Sequence, residues 1–362
     1  MDCPHLPEWT ADAFWKRLMD RAYAQRIPIA GSIELTARCN LKCVHCYICG
    51  ASDGGIELTL SELKRLIDQI VDEGCLWLLV TGGEPLIRGD FPNFYSYARR
   101  KGLLVSVFTN GTLLTETMAA KLAELTPSSV EITLYGRTER TYEAVTGVPG
   151  SYRRCIRGIE LALDLGLPVG LKTMVLSLNK HELWDMKAYA EQLGVSFRFD
   201  SSVNARLDGG REPVKYRIPP EEVVELDVVD QKRARLMAEF AEKYRGKARM
   251  PAMLYQCGGG VNSFHVDAYG RLSICMMSRT PAWELRYGLF SEAWADFIPS
   301  LTQKERRRIT PCVECELNAL CEQCPGWGMT ESGDPETPVE YLCRIAHLRD
   351  QYLQQTGGVC SQ

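Results

Sequence analysis

Cysteine placement constrains this chain more than any other feature. Of 15 cysteines in 362 residues, Cys39, Cys43, Cys46 and Cys49 crowd one short stretch, and Cys257, Cys275, Cys312, Cys315, Cys321, Cys324 and Cys343 occupy the last third. Cys3, Cys75, Cys155 and Cys360 are scattered and read as small hydrophobes. The odd total argues against a full set of disulfides, and the proportion is too low for a disulfide scaffold. In a reducing compartment, clustered cysteines point to metal or redox chemistry.

The remaining composition is that of a soluble globular protein: 45% apolar, 24% charged, formal net charge −4. A nearly balanced charge argues against a protein that coats nucleic acid or an anionic membrane. The longest apolar run, Cys75 to Val80, falls far short of the roughly 18 residues a span needs. Asp2 and Glu8 with no hydrophobic segment between them do not resemble a signal peptide, so a cytoplasmic address is expected.

Between the cysteine groups, strands and helices alternate. Strands are expected at 32–37, 75–80, 103–109, 130–135, 169–176 and 195–200. Helices are expected at 59–72, 91–101, 115–125, 152–165, 182–193 and from Pro219-Pro220 to about Tyr244. The first of these helices opens on the capping box Thr59-x-x-Glu62. Near-continuous apolar strands alternating with amphipathic helices predict an α/β fold with a helix-covered parallel sheet. Periodicity alone leaves open a doubly wound sheet and a partial barrel. In both, ligands bind at the carboxyl ends of the strands. The first cysteine stretch, Gly82-Gly83-Glu84-Pro85, Asn110-Gly111 and Asp200 all fall at such ends. From about residue 250 the pattern changes to a hairpin over 263–275 and then cysteine-rich loops with too little apolar content for their own core. A metal framework would supply the missing cross-links.

Cys39-x3-Cys43-x2-Cys46 offers three thiolates on one loop. Three thiolates suit a [4Fe–4S] cluster whose fourth iron stays open to a small molecule. The rival is structural zinc with Cys49 as fourth ligand. Together with Gly82-Gly83-Glu84-Pro85 after the second strand, this spacing resembles the radical S-adenosylmethionine (SAM) enzymes over about residues 30–250. The resemblance implies a partial (β/α)6 TIM-type barrel, with SAM chelating the open iron through its amino and carboxylate groups. It implies that Gly82, Gly83, Glu84 and Pro85 bind the SAM amino group, and that Thr109, Asn110, Thr133 and Lys172 supply further SAM contacts. It also implies reductive cleavage of SAM to methionine and a 5′-deoxyadenosyl radical that abstracts hydrogen. A flavodoxin- or ferredoxin-type protein would deliver the electron.

The C-terminal array, Cys257-x12-Gly270-x4-Cys275, Cys312-x2-Cys315-x5-Cys321-x2-Cys324 and Cys343, has too short a gap between its CxxC pairs for an ordinary zinc ribbon. It resembles the SPASM extension of radical SAM enzymes, departing from it by x2 rather than x3 before Cys324. The resemblance implies two auxiliary [4Fe–4S] clusters. Cys312, Cys315, Cys321 and Cys343 would fully ligate one. Cys257, Cys275 and Cys324 would hold the other, leaving an iron to a nearby group such as His265 or to substrate. The expected organisation is therefore a helical extension at 1–30, a barrel at 31–250 and a SPASM-like segment at 251–362.

Family members with such clusters carry out oxidative modification of peptides, so a peptide substrate is expected; a tetrapyrrole side chain is the small-molecule alternative. A non-catalytic iron–sulfur or zinc protein is the non-enzyme alternative. With only about 30 residues before the first strand, leader recognition would fall to a separate protein or to the barrel. The stretch around Trp9, Phe14, Trp15 and Arg17 reads as a helix packed over the barrel or docking a partner. Asp200, Tyr135 and Glu34 are the acid/base candidates at the mouth.

Overall fold

The computed structural model describes residues 10–48, 55–244 and 252–355. Cys3, Trp9, Cys49 and Cys360 lie outside the described residues.

Six parallel strands form the frame: β1 (Ala30–Glu34), β2 (Trp77–Thr81), β3 (Leu104–Thr109), β4 (Ser129–Thr133), β5 (Val169–Met174) and β6 (Ser196–Asp200). They stand in sequential order. Helices occupy the crossovers: α2 (Leu60–Asp72), α3 (Phe91–Arg100), α4 (Glu116–Glu124), α5 (Glu139–Thr146), α6 (Ser151–Asp164) and α7 (Leu183–Gln192), preceded in the chain by α1 (Ala11–Ala24). Right-handed crossovers between sequential parallel strands place every helix on one face. A doubly wound sheet reverses its strand order at a switch point, and this sheet does not. The architecture is therefore the partial barrel, with β1 and β6 not paired to each other.

The two faces differ as this requires. Val130, Ile132, Val105, Val107 and Leu171 are fully buried against the helices. Glu131, Thr133, Phe108 and Lys172 point to the other face and are half-buried. On α1, Trp15 packs its ring against Trp77 at the start of β2, with centroids 5.3 Å apart, and Ala22 is buried. Phe14 and Tyr23 on the same helix stay exposed.

Several expected boundaries shift for local reasons. The first strand ends at Glu34 rather than residue 37 because Thr36 and Ala37 leave the ladder, their hydroxyl and N–H both donating to Glu57 Oε1 (2.6 and 2.9 Å). Helix α5 was not expected; Thr138 caps it, its hydroxyl accepting from Thr141 N–H, and Gly147 ends it at φ 66°. The long helix after Pro219 is two, α8 (Pro220–Val229) and α9 (Gln231–Tyr244). Between them Asp230 Oδ1 accepts from the Lys232 and Arg233 N–H groups.

The hairpin after residue 250 does not stand apart from the barrel. Its first strand, β7 (Ser263–Val266), pairs parallel with β1, Ser32 opposite His265, and β8 (Arg271–Ser273) and β9 (Trp283–Glu284) continue the same sheet antiparallel. Asp267 Oδ1 holds the turn by accepting from the Tyr269 and Arg271 N–H groups. At the C-terminal end, the helix Glu340–Gln355 is tied to α8 by Arg349, whose Nε and Nη2 donate to Asp227 Oδ2 at 2.9 and 2.7 Å. Both partners are buried. Replacing Arg349 with methionine strands Asp227 in part and is expected to lower unfolding free energy by about 3–5 kcal/mol, measured by chemical denaturation.

Candidate active site

Beyond β1 and β2 the two chains continue side by side. The Leu35 N–H donates to Thr81 O, the Gly83 N–H to Thr36 O and the Glu84 N–H to Arg38 O, at 2.8–2.9 Å. This approach explains the glycines. Gly82 has φ 138°, and a Cβ on Gly83 would collide with the carbonyl of Arg38. The motif after β2 is thus the backbone bed on which the entry to the Cys39–Cys46 loop lies.

The loop's other side rests on α5. The Lys42 N–H donates to Thr146 O and the Val44 N–H to Val145 O, at 2.9 and 3.0 Å. The signal for α5 was present in the sequence as Thr138 followed by Glu139 and, eight residues on, Gly147. Glu182, also not singled out, anchors its start. It accepts from the N–H groups of Arg137 and Thr138 and from the hydroxyls of Thr138 and Thr141.

Burial pushes Cys39 and Cys43 up; Glu84 and then Cys46 add to the rise at Cys39, and Cys46 and Cys39 to that at Cys43. Cys39 rises to about 11. Bare thiolates are therefore disfavoured, and cationic iron would reverse that preference. A single zinc would draw sulfurs to about 3.8 Å from one another, given Zn–S near 2.3 Å and tetrahedral angles. Among the described residues no three His, Cys, Asp or Glu groups lie close enough to hold one metal ion. The neighbouring His45 Nδ1 is buried with no hydrogen-bond partner, and burial lowers this imidazole to about 4.

The expected SAM-contact residues divide into two sets. Glu84 is wholly buried. Its carboxylate accepts from Thr109 Oγ1 (2.7 Å), Leu86 N–H (3.1 Å) and Asn110 N–H (2.7 Å), and burial raises it to about 7. Glu84 and Thr109 therefore bind each other and latch the loop to β3. Asn110 is drawn to the cysteine loop: its Nδ2 donates to Asn40 Oδ1 at 3.0 Å and lies 3.9 Å from Cys39 Sγ. Pro85 is buried. Thr133 and Lys172 stand opposite each other in register on the inner face. Lys172 Nζ sits 3.1 Å from the Phe108 ring centroid, and burial, with Arg198 nearby, lowers it to about 7.

Of the acid/base candidates, Asp200 ends β6 at the mouth and is exposed. Its Oδ1 accepts from Ser202 N–H, and the surrounding protein, with Glu322 near, pushes its pKa up. Tyr135 instead packs edge-on against His45, centroids 4.9 Å apart. Glu34 is not a free base: it is 2% exposed and ion-paired with Arg279. His265 is turned into the barrel, Nδ1 2.9 Å from Ser32 Oγ, rather than serving the C-terminal cysteines.

Those cysteines gather as two groups. Burial pushes Cys275 and Cys324 up, Cys257 adds to both and Cys275 adds to Cys324, and Tyr255 feels all three thiols. Cys321 is pushed up by burial and then by Cys312, Cys315 and Cys343. A cavity of about 130 Å³ is lined by Cys257, Cys312, Cys315, Cys321, Cys324 and Cys343. Backbone N–H groups point at two of the sulfurs, Ser278 to Cys275 (3.3 Å) and Gln323 to Cys321 (3.5 Å), as is usual around iron–sulfur clusters.

The family model described as the radical SAM superfamily matches residues 33–191, the span carrying the loop, the Gly82–Pro85 bed and β1 to β5. Residues 33–191 thus form a radical SAM domain. It is similar to the AdoMet-dependent heme synthase of Methanosarcina barkeri, 29% identical over 83% of this chain and 92% of that protein. The same organism's Fe-coproporphyrin III synthase is 40% identical over 44% of this chain and 39% of its own. Among solved structures, SuiB of Streptococcus suis bound to S-adenosylmethionine superposes with a TM-score of 0.68 at 14% identity, covering 94% of this chain and 83% of that one. SuiB has also been solved bound to its precursor peptide SuiA. The radical SAM enzyme described here thus shares that fold along almost its whole length. No helix among its described residues is long and apolar enough to cross a membrane.

Proposed function

We propose that this radical SAM enzyme is an oxidative peptide maturase of the SPASM type. It holds a SAM-binding [4Fe–4S] cluster on Cys39, Cys43 and Cys46 and two auxiliary [4Fe–4S] clusters on the C-terminal cysteines. When bound, the N-terminal cluster and SAM supply one-electron cleavage of the sulfonium carbon–sulfur bond and hence hydrogen abstraction from an unactivated carbon. The chain's own residues prepare the place. The Gly82-Gly83 backbone offers carbonyls to the SAM amino group, and Asn110 orients the loop at Cys39. Thr133 and Lys172 line the inner face where the nucleoside and its carboxylate would lie. The segregation of seven C-terminal thiols into a group of three and a group of four carries the oxidative part of this reading. A substrate left as a carbon radical needs an electron acceptor, which clusters held by these two groups of thiols would supply. The proposed setting is cytoplasmic, with a flavodoxin- or ferredoxin-type reductant and leader recognition by a separate protein or the barrel. Domain limits at 31–250 and 251–362 belong to the same reading, with the sheet crossing them.

A peptide substrate is supported by the fold shared with SuiB, which binds a precursor peptide. The second reading, a tetrapyrrole side chain, is supported by the heme synthase that this chain matches along most of both lengths. Deuterated substrates separate the two. Anaerobic enzyme with reductant and SAM is expected to transfer deuterium into 5′-deoxyadenosine from a labelled precursor peptide and not from labelled Fe-coproporphyrin III; the reverse transfer would establish the tetrapyrrole reading. Asp200→Asn is expected to leave SAM cleavage intact and lower product formation, read by liquid chromatography and mass spectrometry. Equal product yield would remove Asp200 from the chemistry.

A further inference from the structure

At the mouth of the barrel a largely buried ion pair joins two cysteine sites distant in sequence. Glu34 ends β1, five residues before Cys39; Arg279 follows Cys275 by four. Arg279 reaches into the barrel and donates in bidentate fashion, Nη1 to Glu34 Oε2 at 2.9 Å and Nη2 to Oε1 at 2.5 Å. Its Nε donates to Met276 O at 2.8 Å, which fixes the segment that follows Cys275. Behind Glu34 stands His265, 0% exposed, with Nε2 3.7 Å from Glu34 Oε1 and no hydrogen-bond partner of its own. Beside the pair, Tyr47 places its hydroxyl 3.9 Å from Met276 Sδ and so bridges the residue after Cys46 to the residue after Cys275.

A pair with one member buried and the other largely so gains little stability, because desolvation cancels most of the attraction and apolar residues of similar size do as well. Its position suggests a different use. We propose that the Glu34–Arg279 pair is a clasp that sets the spacing and the charge balance between the Cys39–Cys46 cluster and the cluster on Cys257, Cys275 and Cys324. In doing so it tunes the potential at which the latter accepts the substrate's electron. A cluster held by Cys257, Cys275 and Cys324 would supply the one-electron acceptor through which a carbon radical left by hydrogen abstraction could lose an electron and a proton to give a closed-shell product. The inference rests on the oxidative reading above. Reduction adds one negative charge to the cluster. A guanidinium on the Cys275 side favours that charge and a carboxylate opposes it, so removing one member of the pair should move the potential in a direction set by which member is lost.

The test is a redox titration followed by electron paramagnetic resonance on anaerobically reconstituted wild-type, Glu34→Gln, Arg279→Gln and Arg279→Lys proteins. Arg279→Gln is expected to lower the midpoint of an auxiliary cluster and Glu34→Gln to raise it. Arg279→Lys, which keeps the charge, should stay near wild type with unchanged iron content. Shifts of the same sign, no shift, or a folding defect cured by lysine without any effect on potential would mark the pair as packing alone and overturn the proposal. Wild-type protein lacking iron at the C-terminal thiols would defeat the oxidative reading instead, a result distinguishable by iron and sulfide analysis before any titration.

Discussion

Cys43→Ser is expected to fold, to lose the iron of one cluster and to form no 5′-deoxyadenosine above background. The fold should survive because the loop is held by its backbone, through Lys42 and Val44 N–H bonds to the end of α5, and not by the sulfur. The chemistry should not, because a serine hydroxyl at a site this buried has no thiolate to offer an iron. In the proposed site each of the three thiolates would cap a different iron, so losing one would remove the arrangement that leaves the fourth iron open. Iron and sulfide analysis should show the deficit confined to one cluster. Retention of full iron with full SAM cleavage would contradict the assignment of this loop.

The second large effect is expected from Gly83→Ala, which adds one methyl group. The Cβ would meet the Arg38 carbonyl carbon at 2.6 Å and the Ala37 oxygen at 2.9 Å, and both are backbone atoms that cannot rotate away. Overpacking of this kind costs about 1–3 kcal/mol, readable in denaturant unfolding. The functional loss should exceed the stability loss, because the atoms displaced lead directly into Cys39. Incorporation of the N-terminal cluster and SAM cleavage should fall together while the C-terminal iron remains. By contrast, a Cβ at Gly102 or Gly166 meets nothing nearby. Both of those glycines have positive φ, so a loss from alanine there would be conformational and remote from the site.

The parts of this molecule that were readable in the sequence are those fixed by local spacing. The alternation of apolar strands with amphipathic helices sufficed for the six-strand frame, because each strand's neighbour is the next strand in the chain. Cysteine spacing alone did not divide the C-terminal thiols, because Cys321 and Cys324, three residues apart, have different cysteine neighbours, and that division came from the family resemblance. What was missed depends on long separations. Glu34 reads as a free carboxylate at a strand end until Arg279, 245 residues later, is placed on it. The bonds that Glu84 accepts from Thr109 and Asn110, on the next strand's end, were likewise not readable from its own motif. The hairpin at 263–273 has an evident turn, but no periodicity tells which sheet edge it joins. Helix α5 was overlooked although its cap and terminal glycine are plain, since its eight residues fall below the length at which periodicity speaks clearly.

The pairing of β7 along β1 sets a limit on how such an enzyme can be cut and recombined. The side chain that Gly31 lacks is replaced by the ring of Phe264, which lies over it from the neighbouring strand. A polypeptide ending before that strand would bare a hydrogen-bonding edge and open a gap beneath the first strand of the catalytic frame. The C-terminal segment is therefore not an interchangeable cassette. A chimera that grafts another protein's C-terminal third onto this frame must carry its junction past residue 266, or the frame itself will be left incomplete.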